Sequence, residues 1–390
     1  MLPEPLTAEA MADAEAEVDP ASLAAAQRLR RKHSPGVAAA ALDQVVLRRR
    51  AIAKFGDRAA AMFFTRDGLE QATRPAVAEY HARRLAATGA SRVVDLGCGI
   101  GTDALAFAAA GLRVVAVEID EHTAEIARAN VAVHDQLRGT VEVLTGDAEQ
   151  LAPELIKDGD AVFLDPARRT SAGRLWRTED FRPSWTFVTG LLTSGRPVAV
   201  KLGPALPHRE IPDAVEAEWL TDHGETVEVC LRSGPGSTPD RRAALIMPDH
   251  RMIARPTSTP VRALGQFLYE PDGAVIRAGA VGTLAEELSA WLLDDQIAYL
   301  SAEKLIMTPY AGAFEIIEQL PYAEKALRRW VRDHHIGTLE IKKRGIDIDP
   351  ALLRKRLKPA GPESATLIIS RTPRGARVLH ARRIAADDHE

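Results

Sequence analysis

Arg92-Val93-Val94-Asp95-Leu96-Gly97-Cys98-Gly99-Ile100-Gly101-Thr102-Asp103 is the stretch that decides the fold. Arg92 to Leu96 is a short apolar strand containing a carboxylate, Gly97 to Gly101 is a glycine-rich turn, and Asp103 to Ala110 has the composition of a helix. A glycine turn between strand and helix lets a ligand approach the backbone closely, and the helix start adds N–H donors. The spacing is G-x-G-x-G rather than the G-x-G-x-x-G that seats a pyrophosphate, and Asp103 in the first helical turn would oppose one. Asp95, just before the turn, suits a cationic ligand instead.

Outward from this stretch the strand–helix alternation continues. Arg113 to Val117 is a second strand that ends at Glu118, whose carboxylate can take both hydroxyls of a ribose. Val141 to Leu144 is a third, followed by Gly146-Asp147-Ala148-Glu149, where Asp147 can accept from an adenine amino group. Further strands are expected at 161–164, 197–202, 226–231 and 243–247, the last two as an edge hairpin around 232–236. Seven strands with intervening helices describe a doubly wound α/β domain. Residues 1–88 read as a helical lead-in, with Asp67-Gly68 as a turn, and 89–255 as the α/β core. After the proline-rich joint at 255–260, residues 256–390 read as a small α/β domain. A helix is expected there at about 284–293, a strand at 313–320, a helix at 322–334, a strand at 337–343, a helix at 350–358 and a closing hairpin, 365–370 with 377–381.

Composition narrows the class. The chain has 390 residues, 46% of them hydrophobic, and a net charge of −4, which excludes a disordered chain, while 27 Gly and 24 Pro exclude a collagen-like one. Two cysteines, Cys98 and Cys230, exclude a disulfide framework and a Cys-rich zinc site. With no apolar h-region at the start and no long uncharged apolar run, a soluble cytoplasmic protein with no membrane partner and no metal is expected. Between Arg328 and Arg383 stand 15 Lys/Arg against 5 Asp/Glu, a block of the kind that meets nucleic acid.

The ordered set Asp95, Gly97, Gly99, Gly101, Glu118 and Asp147 at successive strand ends resembles the class I S-adenosylmethionine (SAM)-dependent methyltransferases. The resemblance implies a Rossmann-like, seven-stranded core that binds SAM, with Ile119 and Ala148 flanking the ribose and adenine positions. The fourth strand ends in Asp165-Pro166-Ala167-Arg168-Arg169, which resembles the Asp/Asn/Ser-Pro-Pro-aromatic motif of base-amine methyltransferases. By that likeness Asp165 and Pro166 hold the target nitrogen, and catalysis is mostly alignment. Ala167 and Arg168 depart from the motif; Arg168 and Arg169 can hold a phosphate or stack on a base, and Trp176, Phe181 and Trp185 offer another stacking surface.

Neither cysteine is well placed as the nucleophile that methylation at pyrimidine C5 usually needs, so direct transfer to nitrogen or oxygen is favoured. Asp165, Lys201 and Glu228, with Lys54, also resemble the Lys-Asp-Lys-Glu set of ribose 2′-O-methyltransferases, in which a lysine takes the hydroxyl proton. At larger scale the chain is similar to class I methyltransferases with a C-terminal THUMP-like domain, through Phe63-Phe64-Thr65, Gly68 to Thr73, the glycine turn, Asp165 to Arg169, Ile341 to Gly345 and Leu352 to Leu357. It resembles trimethylguanosine synthase more distantly, lacking its Ser-Pro-Pro-Trp motif; that likeness implies that Thr73 folds over the methionine end of SAM. THUMP domains bind RNA, so the resemblance implies a tRNA or rRNA partner, gripped through Lys342, Lys343, Arg344, Arg354, Lys355 and Arg356. Methylation of a small molecule or protein, and SAM or RNA binding without catalysis, stay open.

Overall fold

The computed structural model describes residues 6–134, 137–168 and 180–385. The chain divides into two compact units, Met1–Ala217 with Glu228–Asp240, and Glu218–Val227 with Arg241–Glu390.

The first unit opens with α1 (Ala8–Glu15), α2 (Leu23–Leu29) and α3 (Pro35–Phe55), each started by a hydroxyl that accepts from a backbone N–H: Thr7 from Ala10, Ser22 from Ala25, Ser34 from Val37. Small alanines and Leu29, Leu42 and Val45 pack these helices into one cluster. The later turns of α3 bury Leu47, Ala51 and Phe55 against Phe64 and against Ile100 of the glycine turn. Next come α4 (Arg66–Gln71) and α5 (Pro75–Ala86). Asp67-Gly68 is not a turn but lies inside α4: Thr65 Oγ1 accepts from Gly68 N at 2.9 Å and starts the helix, and a Cβ on Gly68 would run into Ile100.

The α/β run follows as β1 (Arg92–Leu96), α6 (Thr102–Ala109), β2 (Arg113–Glu118), α7 (Glu121–Ala132), β3 (Val141–Thr145), α8 (Ala148–Leu155) and β4 (Ala161–Leu164). A two-residue ladder, β5 (Ala167–Arg168) with β6 (Phe181–Arg182), then leads to α9 (Trp185–Leu192), β7 (Val198–Leu202), β8 (Glu216–Asp222), β9 (Glu225–Ser233), β10 (Arg242–Ile246) and β11 (His250–Ile253). The sheet order is β11-β10-β8-β9-β7-β4-β1-β2-β3, with β1 to β4 and β7 parallel and β9 antiparallel to β7. β1 and β4 are buried almost throughout, which is why they read as unbroken apolar runs. Strand order reverses between β1 and β4, where Leu96 pairs with Leu164. The glycine turn and the Asp165 loop therefore leave the sheet side by side, at the switch point where such folds bind ligands.

The expected hairpin of the last two strands is corrected: β8 stands between β9 and β10. Its alternation of Glu216, Ala217, Glu218 and Trp219 hides a fully buried strand. The carboxylates are accommodated by ion pairs, Glu216 with Arg84 at 3.2 Å and Glu218 with Arg251 at 2.5 Å.

The second unit carries a separate sheet. Its elements are β12 (Phe267–Pro271), α10 (Gly273–Arg277), α11 (Val281–Glu287), β13 (Trp291–Asp294), β14 (Ile297–Ala302), β15 (Ala311–Pro321), α12 (Glu324–Asp333), β16 (Ile336–Arg344), α13 (Pro350–Leu357), β17 (Glu363–Thr372) and β18 (Gly375–Ile384), in the sheet order β13-β14-β12-β15-β18-β17-β16. The expected helix at 284–293 is half right: Ser289 enters the left-handed region (φ 51°), α11 stops, and Trp291 to Asp294 become a strand against β14. α12 and α13 bury Leu327, Trp330, Val331, Leu353 and Leu357 against Leu339, Ile341 and Leu367 of the sheet. The four strands expected in this unit match β15, β16, β17 and β18 to within a few residues, whereas β12 and β14 were not expected.

Candidate active site

Gly97 needs its missing side chain twice over. Its φ is +96°, and a Cβ would stand 3.1 Å from the main-chain oxygen of Asp165. Gly97 N and Cys98 N both donate to Val117 O, at 2.9 and 3.0 Å, which folds the turn across the end of β2. Gly101, at φ +87°, starts α6. Glu118 fixes the lip of the turn: its Oε2 accepts from Gly99 N at 2.9 Å and its Oε1 from Asp120 N at 3.0 Å. Each oxygen keeps a lone pair for a further donor, as the ribose reading requires. Ile119 beside it is exposed. Asp147 Oδ1 accepts from Glu149 N at 2.9 Å and starts α8, with Ala148 buried next to it.

Asp95 is completely buried, and neither of its carboxylate oxygens has a hydrogen-bond partner among the described residues. Burial, and then the carboxylates of Asp103, Asp165 and Glu118, hold it well above the usual range, while Lys201 pulls the other way. A buried carboxylate without a donor is costly, and a cation beside it removes the cost. The turn, the free lone pairs on Glu118 and this orphaned carboxylate together fit a ligand that has a cationic amino-acid end and a ribose, which is the make-up of SAM.

Under the turn lies a second set of charges. His81 of α5 is fully buried, with Nε2 at 2.8 Å from Glu228 Oε1 and Nδ1 at 3.2 Å from Asp103 Oδ1. Burial opposes its charge, but Glu228 and Asp103 outweigh burial and hold the imidazolium well above its ordinary value. Thr73, itself buried, donates to Asp103 Oδ2 at 2.5 Å. His81 belongs to no motif; its one sequence signal is a histidine on the apolar stripe Val77, Ala78, Ala82 and Leu85.

Just after β4, Asp165 Oδ2 meets Lys201 Nζ of β7 at 2.5 Å, and the same ammonium donates to the O of Gln71, the last residue of α4, at 3.3 Å. Burial lifts the Asp165 carboxyl above its ordinary value and Lys201 holds it back. Burial works against the charge on Lys201, but Asp165, Asp103 and Glu228 keep the ammonium above its ordinary value. Lys54 donates to Leu69 O and Glu70 O at 2.8 and 3.0 Å, and Glu228 is taken by His81, so the four-residue set of the ribose reading is divided among different partners. Pro166 is buried beside Asp165, and Arg168 pairs with Phe181 through its backbone in the β5–β6 ladder. Phe181 is buried and packs against Trp185 with ring centroids 6.0 Å apart, whereas Arg169 and Trp176 lie outside the described residues.

Residues 93–165 match a family model described as a methyltransferase domain, 311–383 match a THUMP domain-like model, and 7–51 match a domain of unknown function. Over 349 residues the chain is 35% identical to an uncharacterized SAM-dependent methyltransferase of Mycobacterium tuberculosis, covering 86% of this chain and 93% of that protein. The chain belongs to the SAM-dependent methyltransferases. A crystal structure from Porphyromonas gingivalis W83, described as a methyltransferase, shares the fold at a TM-score of 0.80 and 24% identity, covering 97% of this chain and 98% of its own. An uncharacterized RNA methyltransferase of Listeria innocua is 36% identical over 85 residues, 21% of this chain and 18% of its own length.

In the methyltransferase's second unit the expected phosphate grip divides by strand alternation. Leu339 and Ile341 face the helices, so Lys342 and Arg344 face the opposite side of the sheet. There Lys342 pairs with Glu270 at 2.6 Å and lies 5.8 Å from the Phe314 ring, while the Arg344 guanidinium lies 5.4 Å from the Tyr299 ring. Arg356 pairs with Glu324 at 3.2 Å. Lys343, Arg354 and Lys355 are exposed and have no ion-pair partner among the described residues; the same holds for Lys325, Arg329 and Lys358, which no sequence motif marks. No helix of the described residues is long and apolar enough to cross a membrane.

Proposed function

We propose that this methyltransferase modifies a base nitrogen of RNA, tRNA or rRNA, with Asp165 and Pro166 positioning the acceptor. The observation that carries the reading is Asp165 itself: it follows β4, its main chain abuts Gly97 of the cofactor turn, and its Oδ1 has no partner among the described residues. SAM supplies, when bound, a methyl group on a cationic sulfur. Asp95 fits its ammonium, Glu118 its ribose and Asp147 its adenine, with Ile119, Ala148 and Thr73 around them. Asp165 Oδ1 accepts one N–H of an exocyclic amine and so turns the nitrogen's lone pair toward the methyl group. After the N–C bond forms and the C–S pair stays on sulfur, the surplus proton leaves the nitrogen along that same hydrogen bond. Most of the acceleration then comes from alignment rather than from a strong base.

The THUMP domain-like match, the likeness to the Listeria protein named as an RNA methyltransferase and the unpaired cations of α12 and α13 support RNA as the acceptor. Phosphate contacts of this kind give affinity rather than sequence choice. The ribose 2′-O reading is less favoured, because Lys201 is engaged by Asp165 Oδ2 and Gln71 O, Lys54 by Leu69 O and Glu70 O, and Glu228 by His81. Purified protein, tritiated SAM and cell extract from a strain lacking the gene test the reading. Label is expected in the RNA fraction; label confined to protein or to small molecules would reject it.

A further inference from the structure

We infer that Lys201 is a positioning residue for the transfer: it occupies one oxygen of Asp165 and leaves the other oxygen as the sole acceptor for the substrate amine. The inference rests on the base-nitrogen reading for its chemistry but on geometry for its existence. Lys201 is the fourth residue of β7, in register with Cys230 of β9, and β7 lies next to β4. Its ammonium reaches Asp165 Oδ2 at 2.5 Å and Gln71 O at 3.3 Å. One side chain thus joins the loop after β4 to the last residue of α4, two positions before Thr73.

The Lys201 side chain is 13% exposed, whereas that of Asp165 is 32% exposed. The cation is on the protein side of the pair and the carboxylate on the open side. A carboxylate with both oxygens free can receive an amine in several orientations; with Oδ2 engaged, only Oδ1 remains, and its lone pairs are fixed in direction. Lys201 Nζ donates to Asp165 Oδ2 and to Gln71 O, and Asp103 and Glu228 add negative charge around it, which favours the ammonium form. Lys201 therefore works through Asp165 and does not itself accept a proton.

The test compares Lys201→Met and Lys201→Arg with the parent protein in three readouts. The first is the titration of the Asp165 carboxyl carbon by 13C NMR without substrate, assigned by its disappearance in Asp165→Asn. Lys201→Met is expected to move that titration to higher pH, and Lys201→Arg to leave it near the parent value. The second is the split of kcat from KM with labelled RNA: Lys201→Met lowers kcat by about 100-fold with the KM for SAM unchanged, and Lys201→Arg recovers most of the loss. The third is the acidic limb of the kcat profile, which should move with the NMR titration.

An Asp165 titration that does not move in Lys201→Met overturns the inference. So does a Lys201→Arg protein that binds SAM normally but turns over no better than Lys201→Met, since arginine keeps the charge and loses only the ability to act as a base. If Lys201→Met does not fold, Lys201→Arg alone still decides: parent-like turnover and limb uphold the inference. The NMR readout involves no substrate, so failure of the RNA reading, seen as parent label outside base-methylated nucleosides, is distinguishable from failure of the Lys201 role.

Discussion

His81 Nε2 and Glu228 Oε1 lie 2.8 Å apart although 147 positions separate them, and with Asp103 on the other ring nitrogen the imidazolium is enclosed by carboxylates out of reach of solvent. It ties α5, which follows Thr73, to β9 of the sheet and to the start of α6. Removing one partner of such a set strands the other charges, at a cost of about 3–5 kcal/mol. His81→Gln is therefore expected to lower unfolding stability by about that amount in urea titrations. An unchanged midpoint would mean that the set contributes nothing.

The same set has a pH signature. The folded value of His81 lies well above its ordinary 6.5, so its contribution is complete below that value and is lost as pH rises through the raised one. Asp103 is held below its ordinary 3.8, so its share is present above that value and is lost as pH falls through the lowered one. The parent protein is expected to lose stability more steeply than His81→Gln as pH rises above the ordinary 6.5 of histidine. Parallel slopes would contradict this.

Asp95 supplies a binding prediction. Burial and the neighbouring carboxylates raise its titration and a cationic ligand favours the ionised form, so SAM binding should release protons where the free and bound titrations differ. Calorimetry in buffers of different ionisation enthalpy should give an apparent enthalpy that changes with buffer and tightening affinity as pH rises. Asp95→Asn is expected to abolish the buffer dependence and to weaken SAM by about 10–100-fold. Buffer-independent heats in the parent protein would rule out this role.

Asp165→Ala separates binding from chemistry. Loss of the acceptor-positioning group should cost about 100-fold in kcat with the SAM dissociation constant unchanged. Equal losses in both would assign Asp165 to the cofactor.

On the second unit, reversing Arg354 and Lys355 to glutamate should weaken RNA binding and lower the slope of log affinity against log salt by roughly one for each phosphate no longer neutralised. Lys342→Ala, which breaks the pair with Glu270, should change RNA affinity less. The reverse ranking, read by filter binding across a salt series, would move the interface to the other face of the sheet.

The sequence carried the parts of this structure that are local. The cofactor turn, its carboxylates and most strands follow from period, glycine spacing and strand-end position. β8 was illegible because Glu216 and Glu218 alternate as an exposed strand would, and the arginines that pair with them, Arg84 and Arg251, are distant in sequence. The end of α11 was lost because Ser289 adopts a left-handed backbone with no glycine to announce it. Asp165 and Lys201 were legible together through the ribose likeness, but His81 was beyond a linear reading, because its partners Glu228 and Asp103 lie on another strand and another helix.

The central claim is transfer of the SAM methyl group to a base nitrogen of RNA. It is tested most directly by incubating the purified protein and tritiated SAM with total RNA from a strain lacking the gene, then resolving the labelled nucleosides. Label in a single nucleoside methylated on a base nitrogen is expected, together with absence of that nucleoside from the deletion strain's own RNA. Label on a ribose oxygen, or none in RNA while calorimetry still registers SAM binding, would contradict it.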